Sequence, residues 1–496
     1  MSSNSNRRNF EPMSERTLEN ARIYLLSTRY DLSRDSILAR EIVNYVNRRL
    51  DEEEAQRGVK RVKPGELLIK TSRGDLVLPL RTQADIQRAI SGERLENIRR
   101  DIFARCVKKC QELFPEVLEG GEMSGSGVSG VSRLKTKKTE TKPKELKEVE
   151  EAKEVRKVRV REIDTILRAL SACSLTLSHD FVKKRWTGCR INSLPICHQK
   201  YGPVNEELMT QLLKEAGANG NRVQQSSNLA SLYRTKTKLE VINFLGKEAG
   251  VPPAVREAMF LDLARLRSRF CPLISTLDSG QMPLVSMHVK AGRRLDLPTR
   301  LQPLAPVIVS IITPLELEQL GEKDWFEYSE LMKANARRMA RVLIEAYQQD
   351  GLISYSELQW CFLTSANSIG RILGWFQHKH NVILPCPGTV LDMGRMLTHK
   401  DIIVRLHLQG MTVLEISRQT YHAPRSVDAY LKVFDSVLIL HLYDLPLKLI
   451  ARVLNRGESL IEEYLQLIKE NLKEVKELRK YLQSRGVKLP EGIMAC

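Results

Sequence analysis

Aromatic residues are scarce in this chain, at 6% of 496 residues, which argues against a surface of stacking platforms for single-stranded nucleic acid. Long apolar runs are missing too: none approaches the roughly 18 residues that a membrane helix needs. The opening stretch, residues 1–10, lacks the apolar core of a signal peptide. The expectation is a soluble cytoplasmic protein with no membrane partner. Nine cysteines without regular spacing form no disulfide framework and point to a reducing compartment.

Paired Cys-x-x-Cys spacing is absent. Cys173, Cys189, Cys197 and His198 make one loose set, and His378, His380 and Cys386 another, so no metal is expected. Cys106 and Cys110, one helical turn apart, read as one buried face. The phosphate loop, the Gly-x-Ser-x-Gly elbow and the His-Glu-x-x-His helix are all missing, so no cofactor, no catalytic residue and no enzyme activity are assigned. Asp164, Asp180 and Asp262 are available as carboxylates only as any three of 60 acids would be.

Acids are also in deficit. Against 78 Lys and Arg there are 60 Asp and Glu, giving a net charge of +18 and a pI near 9.5, which favours a polyanionic partner. Apolar residues at 42% suffice for packed cores, and the length suggests about three domains at roughly 150 residues each.

The pattern along the chain is mainly α. Residues 1–118 read as a basic helical domain, with periodic runs from Leu18 and from Ile37 to Leu50, and a β-hairpin in which Glu66–Thr71 and Asp75–Leu80 flank Ser72–Gly74. Residues 57–109 hold 14 Lys and Arg against 6 Asp and Glu. Residues 119–161 are a Gly/Ser-rich and then charged linker, whose position suggests two halves that move independently. Residues 162–324 are a mixed globular middle domain with one buried strand within 303–314. Residues 325–397 give a long helix and a winged-helix-like pair. Residues 398–484 give tandem helix-turn-helix units with a C-terminal helix, and 485–496 a tail.

Of the three C-terminal helix pairs, the first spans Tyr355 to Trp375, opened by Ser354, with Val382–Pro385 as its β-prone wing. Gln359 at the close-approach position and Leu363 in the turn are unfavourable there. The second runs from Gly410 to Leu431. Ser417 sits where the helices meet, Leu414, Ile416, Val427 and Leu431 join them, and Pro424 opens the second helix, where its missing N–H costs nothing. A second helix of this kind lays its N-terminal residues in the major groove. Arg418, Ala423, Pro424, Arg425, Ser426 and Lys432 are therefore the candidate DNA-contacting residues, with Asp428 an awkward neighbour. The third pair, Leu445 to Ile461, has Ala451 and Asn455 in suitable places but presents Glu458, Glu462 and Glu463. It reads as a packing unit with Lys448, Arg452 and Arg456 as backbone clamps. The terminal helix, residues 458–484, spaces Ile461, Leu465, Ile468, Leu472 and Val475 as a short coiled-coil seam. Such a seam either joins a homodimer or packs on its own domain.

Residues 325–468, with the Pro385–Gly388 turn, the Thr398–Lys400 helix start, Ile416–Arg418 and Val427–Leu431, resemble an uncharacterised prokaryotic family, domain of unknown function 1670. Residues 57–66 also resemble it. The resemblance implies helix-turn-helix units and the role of a DNA-binding regulator or mobile-element accessory protein, with no site residues. The chain departs from the family pattern at Gln359, Leu363, Asn367 and Ser368. The expected partner is double-stranded DNA, bound without catalysis by the C-terminal array and by the basic N-terminal region. A recombinase or transposase with metal-dependent carboxylates, and a protein- or RNA-interaction protein, are the alternatives.

Overall fold

The computed structural model describes residues 10–32, 37–113, 233–291, 302–322, 328–380, 382–391, 400–472 and 475–484, with a few single positions besides. The protein is mainly helical with two small antiparallel sheets, and it divides after Phe376 into two compact units. No helix among the described residues is long and apolar enough to cross a membrane.

In the first unit, α1 (Leu18–Arg29) starts where the Thr17 hydroxyl accepts from the Asn20 amide. Helix α2 (Ile37–Gln56) buries Ala39, Ile42, Val43, Val46 and Leu50, a three-to-four-residue spacing that makes one apolar stripe. That stripe packs on α5 (Thr235–Lys247) and α6 (Pro253–Phe270) through Val241, Leu245, Met259, Phe260 and Leu263. One core thus crosses the boundaries drawn at residues 118 and 162. The first helices and residues 235–270 of the middle region share this core, so it does not fall into separate parts at those boundaries.

The hairpin expected at 66–80 is present as β1 (Glu66–Thr71) and β2 (Gly74–Pro79), with Leu67 facing Leu78 and Ile69 facing Leu76. Helices α3 (Gln83–Ile90) and α4 (Leu95–Leu113) follow, and α4 buries Cys106 and Cys110 on one face as expected. The second sheet has order β4-β3-β5. Its β4 (Leu304–Ser310) is the buried strand expected from the sequence; β3 (Gln281–His288) and β5 (Gly351–Leu352) were not legible. The register pairs Gln281 with Ser310 and Met287 with both Leu304 and Leu352. The hairpin docks on this sheet edge: the Gly65 amide donates to the Pro283 carbonyl at 2.9 Å and the Gly280 amide to Leu68 at 2.6 Å. Gly280 has φ +83, and a Cβ there would lie 1.8 Å from the Ile312 carbonyl oxygen, so only glycine fits.

Helix α7 (Pro314–Glu322) and the long α8 (Tyr328–Gln348) come next, with α8 packed on β4. Arg341, fully buried on α8, donates to the Ser310 carbonyl and to both carboxylate oxygens of Glu316. Burial pushes the Glu316 carboxyl up, but the Arg341 hydrogen bonds outweigh it and hold the group at about 2. Helices α9 (Tyr355–Cys361) and α10 (Ala366–His380) form the first of the anticipated helix pairs.

In the second unit, residues 382–386 contain no strand, so the wing expected at Val382–Pro385 is not formed; Val382, Ile383 and Leu384 are instead buried. After the short α11 (Pro387–Val390), the described residues form α12 (Lys400–Leu408), α13 (Val413–Thr420), α14 (Pro424–Leu442), α15 (Leu447–Val453) and α16 (Glu458–Asn471). The expected single terminal helix breaks at Leu472 (φ −126, ψ 72), and α17 (Val475–Ser484) is separate. Ile461, Ile468 and Leu472, assigned from the sequence to a coiled-coil seam, lie with Phe434, Leu438 and Leu482 in this unit's own core. Leu465 packs partly buried on the same core, so these positions serve packing within the unit, the second of the two roles expected for the seam.

Candidate nucleic-acid interface

The helix pairs share one residue spacing. The first helix begins after Ser354, Thr412 or Pro446. A fully buried side chain follows at Leu358, Ile416 or Ile450, and a left-handed residue closes the turn at Leu363 (φ 44), Tyr421 (φ 57) or Asn455 (φ 51). The second helix then begins at Ala366, Pro424 or Glu458 and buries Ile369, Val427 or Ile461 at the same step. Three segments with unrelated side chains repeat one backbone course, because an apolar anchor on each helix and one left-handed residue between them fix the crossing.

Local capping sharpens the first two. Ser354 with Glu357, and Thr412 with Glu415, form reciprocal capping boxes. The Thr412 hydrogen bonds hold the Glu415 carboxyl below its usual range. In the second pair the Ser417 hydroxyl donates to the His422 carbonyl at 2.6 Å, and the buried His422 ring lies 2.8 Å from the Thr420 carbonyl, so the turn is held from both sides. Leu414 departs from the expectation: it is 59% exposed and does not join the helices.

The candidate contact residues fall as follows. Ala423 is the exposed N-cap of α14, and Pro424 stands in its first turn. Arg425 is exposed on that same turn, Ser426 is half-buried beside it, and Arg418 is exposed near the end of α13. Lys432 is exposed but pairs with Asp428 at 2.7 Å, one turn away, so the carboxylate that looked awkward is partly neutralised within the helix. Lys448, Arg452 and Arg456 are exposed on and just after α15. Among the described residues, none of Arg418, Arg425, Lys448, Arg452 and Arg456 has an ion-pair partner. On the third pair, exposed Glu458 and Glu462 keep the second helix acidic, while Glu463 pairs with buried Lys400, whose ammonium also lies 5.5 Å from the Tyr464 ring centre. That latch between α12 and α16 was not foreseen.

In the first pair, α9 is buried from Glu357 to Cys361, so it serves as core; Asn367 and Arg371 are exposed on α10. The basic stretch at 57–109, expected to bind DNA backbone, has part of its charge committed inside the first unit. Arg61 pairs with Glu54, Arg88 with Glu93 and Asp101, and Arg105 with Asp85, while Arg81 and Arg99 are buried. Its charge count overstates what it offers a partner. Among the described residues no group of three or more His, Cys, Asp or Glu is placed to hold a metal ion. Asp262 is taken by Tyr30, Arg29 and Arg265. Asp164, Asp180, Cys173, Cys189, Cys197 and His198 lie outside the described residues.

No curated protein and no solved structure matches the chain. The resemblance carried by the Ile416–Arg418 and Val427–Leu431 segments holds over a defined stretch: residues 257–467 match the family described as protein of unknown function (DUF1670).

Proposed function

We propose that the protein binds double-stranded DNA through its second unit, as a non-enzymatic regulator or accessory protein. The observation that carries the reading is Arg425, an exposed guanidinium with no ion-pair partner among the described residues. It stands on the first turn of a helix whose preceding turn is locked by Ser417 and His422. A guanidinium so placed matches the paired acceptors of a guanine edge or the oxygens of a phosphate. Arg418 on one side, and Lys448, Arg452 and Arg456 on the next pair, supply cations suited to phosphates. The acidic face of α16 suits the third pair to support and not to base contact.

The test is selection of bound sequences from a random duplex pool with the full chain. A recovered motif supports the reading, and its symmetry gives the stoichiometry. Affinity should fall with salt by a log–log slope of about 0.9 per phosphate neutralised. Absence of duplex retention at low salt would sink the reading.

A further inference from the structure

Inside the first unit, buried hydrogen-bond donors gather around one face of α9. Glu357, Trp360 and Cys361 share that face by their helical spacing. Arg16 pairs with Glu357 Oε1 at 2.5 Å. Glu357 Oε2 already accepts from the Ser354 amide and hydroxyl, at 2.7 and 2.8 Å. Arg81, which follows β2, is 8% exposed; its amide donates to Gly65, whose own amide donates to the Pro283 carbonyl, two residues before Val285, the carbonyl that Arg16 also reaches at 3.4 Å. The Arg81 guanidinium has no hydrogen-bond or ion-pair partner among the described residues. The carboxylate nearest to it in sequence, Asp85, is satisfied by Arg105 and Thr82. Arg16 Nε and Trp360 Nε1 are buried without an acceptor as well.

The arrangement is specific. Gly65 accepts the Arg81 amide at 3.0 Å and has φ +91. A Cβ at Gly65 would lie 2.5 Å from the Arg81 carbonyl oxygen and 3.2 Å from Arg81 Nε, so the glycine lets the backbone of residue 81 approach closely, with its side chain alongside. Burying a guanidinium without a counter-charge is costly, and desolvation lowers the Arg81 pKa accordingly. Among the described residues, these two arginines thus meet one carboxylate whose oxygens are both already engaged.

We propose that Arg81 and Arg16 form a binding site for a single phosphate-class oxyanion in the first unit. The guanidinium fork of Arg81 matches two oxygens of such an anion. A tetrahedral oxyanion also supplies more acceptor lone pairs than a carboxylate, which suits a place with several orphan donors. The source is either free phosphate or the terminal phosphate of a nucleotide or nucleic-acid end.

The test is titration calorimetry of the full chain with inorganic phosphate, and separately with a nucleoside monophosphate, at constant ionic strength. Phosphate binding by the parent and at least about tenfold weaker binding by Arg81→Gln is the expected result. Tighter binding of the nucleoside monophosphate identifies the esterified source; equal or weaker binding identifies free phosphate. Without phosphate, Arg81→Gln should melt at or above the parent temperature, since a buried charge has gone. Hydrogen exchange supplies a readout on the parent alone: phosphate should slow exchange in residues 63–66 and 355–361. Equal affinity in both proteins, no phosphate binding by the parent, or protection confined to residues 413–456 overturns the site.

Discussion

Tyr421 and Asn455 occupy the same step of two consecutive helix pairs, each in the left-handed region, at φ 57 and φ 51. The two differ in what their side chains do: Tyr421 packs against the apolar cluster of Ile416, Val427 and Leu431, while Asn455 is exposed. Asn455 therefore reports backbone preference with little packing mixed in. Asn455→Ala should destabilise the second unit by about 1 kcal/mol, and Asn455→Gly should change it by less than about 0.5 kcal/mol. Urea unfolding of the full chain followed by circular dichroism makes the comparison. Equal stability of the alanine and glycine variants would show that the turn does not need a left-handed residue.

Glu54 ties three elements of the first unit. It accepts from Arg61 at 3.0 and 2.8 Å, from Arg267 at 3.1 and 2.5 Å, and from the Tyr233 hydroxyl at 2.8 Å. Burial pushes its carboxyl up, and the two guanidinium groups outweigh that and hold it at about 2, against 4.5 ordinarily. A carboxyl whose folded pKa is depressed adds stability above its unfolded pKa. That stability is lost as pH falls through the folded value. The parent should therefore lose stability between pH 4.5 and about 2, and Glu54→Gln should be less stable at pH 7 with a flatter profile in that window. Thermal melts at fixed ionic strength are the measurement, and parallel profiles for the two proteins would remove Glu54 from the explanation.

Cys106 and Cys110 should be inert in the folded chain. Burial pushes their thiols up to about 12 and about 11, so at pH 8 almost none of the nucleophilic thiolate is present. Iodoacetamide labelling resolved by peptide mass spectrometry should show both unmodified without denaturant and both modified in urea. Native-state labelling at the rate of a free thiol would mean that α4 opens readily.

For the proposed DNA contact, Arg425→Ala should weaken binding to a selected site by about 1–3 kcal/mol, and to unrelated duplex by less. Lys448→Ala should weaken both alike and lower the salt slope by about 1. Fluorescence anisotropy across a salt series separates the two effects. Equal losses on both duplexes for Arg425→Ala would reduce that residue to a phosphate contact.

The helix pairs were legible because their information is local: a cap, an apolar anchor and a turn residue recur at short spacing, as at Thr412, Ile416 and Tyr421. Strand β3 was not, since Gln281–His288 is buried almost throughout and shows no alternation of apolar and polar residues. The apolar period from Ile461 through Val475 suggested one helix, and periodicity alone does not reveal that Leu472 and Leu482 return to the same core. At 57–109 a charge count does not tell which cations are taken: Arg61 pairs with Glu54 and Arg99 donates to Gln359, while Lys60, Lys70 and Arg100 stay exposed. The Arg81 cluster joins residues 16, 65, 81 and 357, a combination that no sequence window contains.

The apolar cluster in which Leu26, Val46 and Leu50 meet Val241, Leu245 and Phe260 makes the first hundred residues an obligate part of the larger body. Deleting them would strip one wall from α5 and α6 and leave an apolar face to aggregate, so a truncated chain beginning near residue 160 is a poor reagent. The two walls of that core lie on either side of residues 114–232 in the sequence, α1 and α2 before them and α5 and α6 after them. Two separately encoded pieces divided there should find each other during coexpression and copurify as one particle.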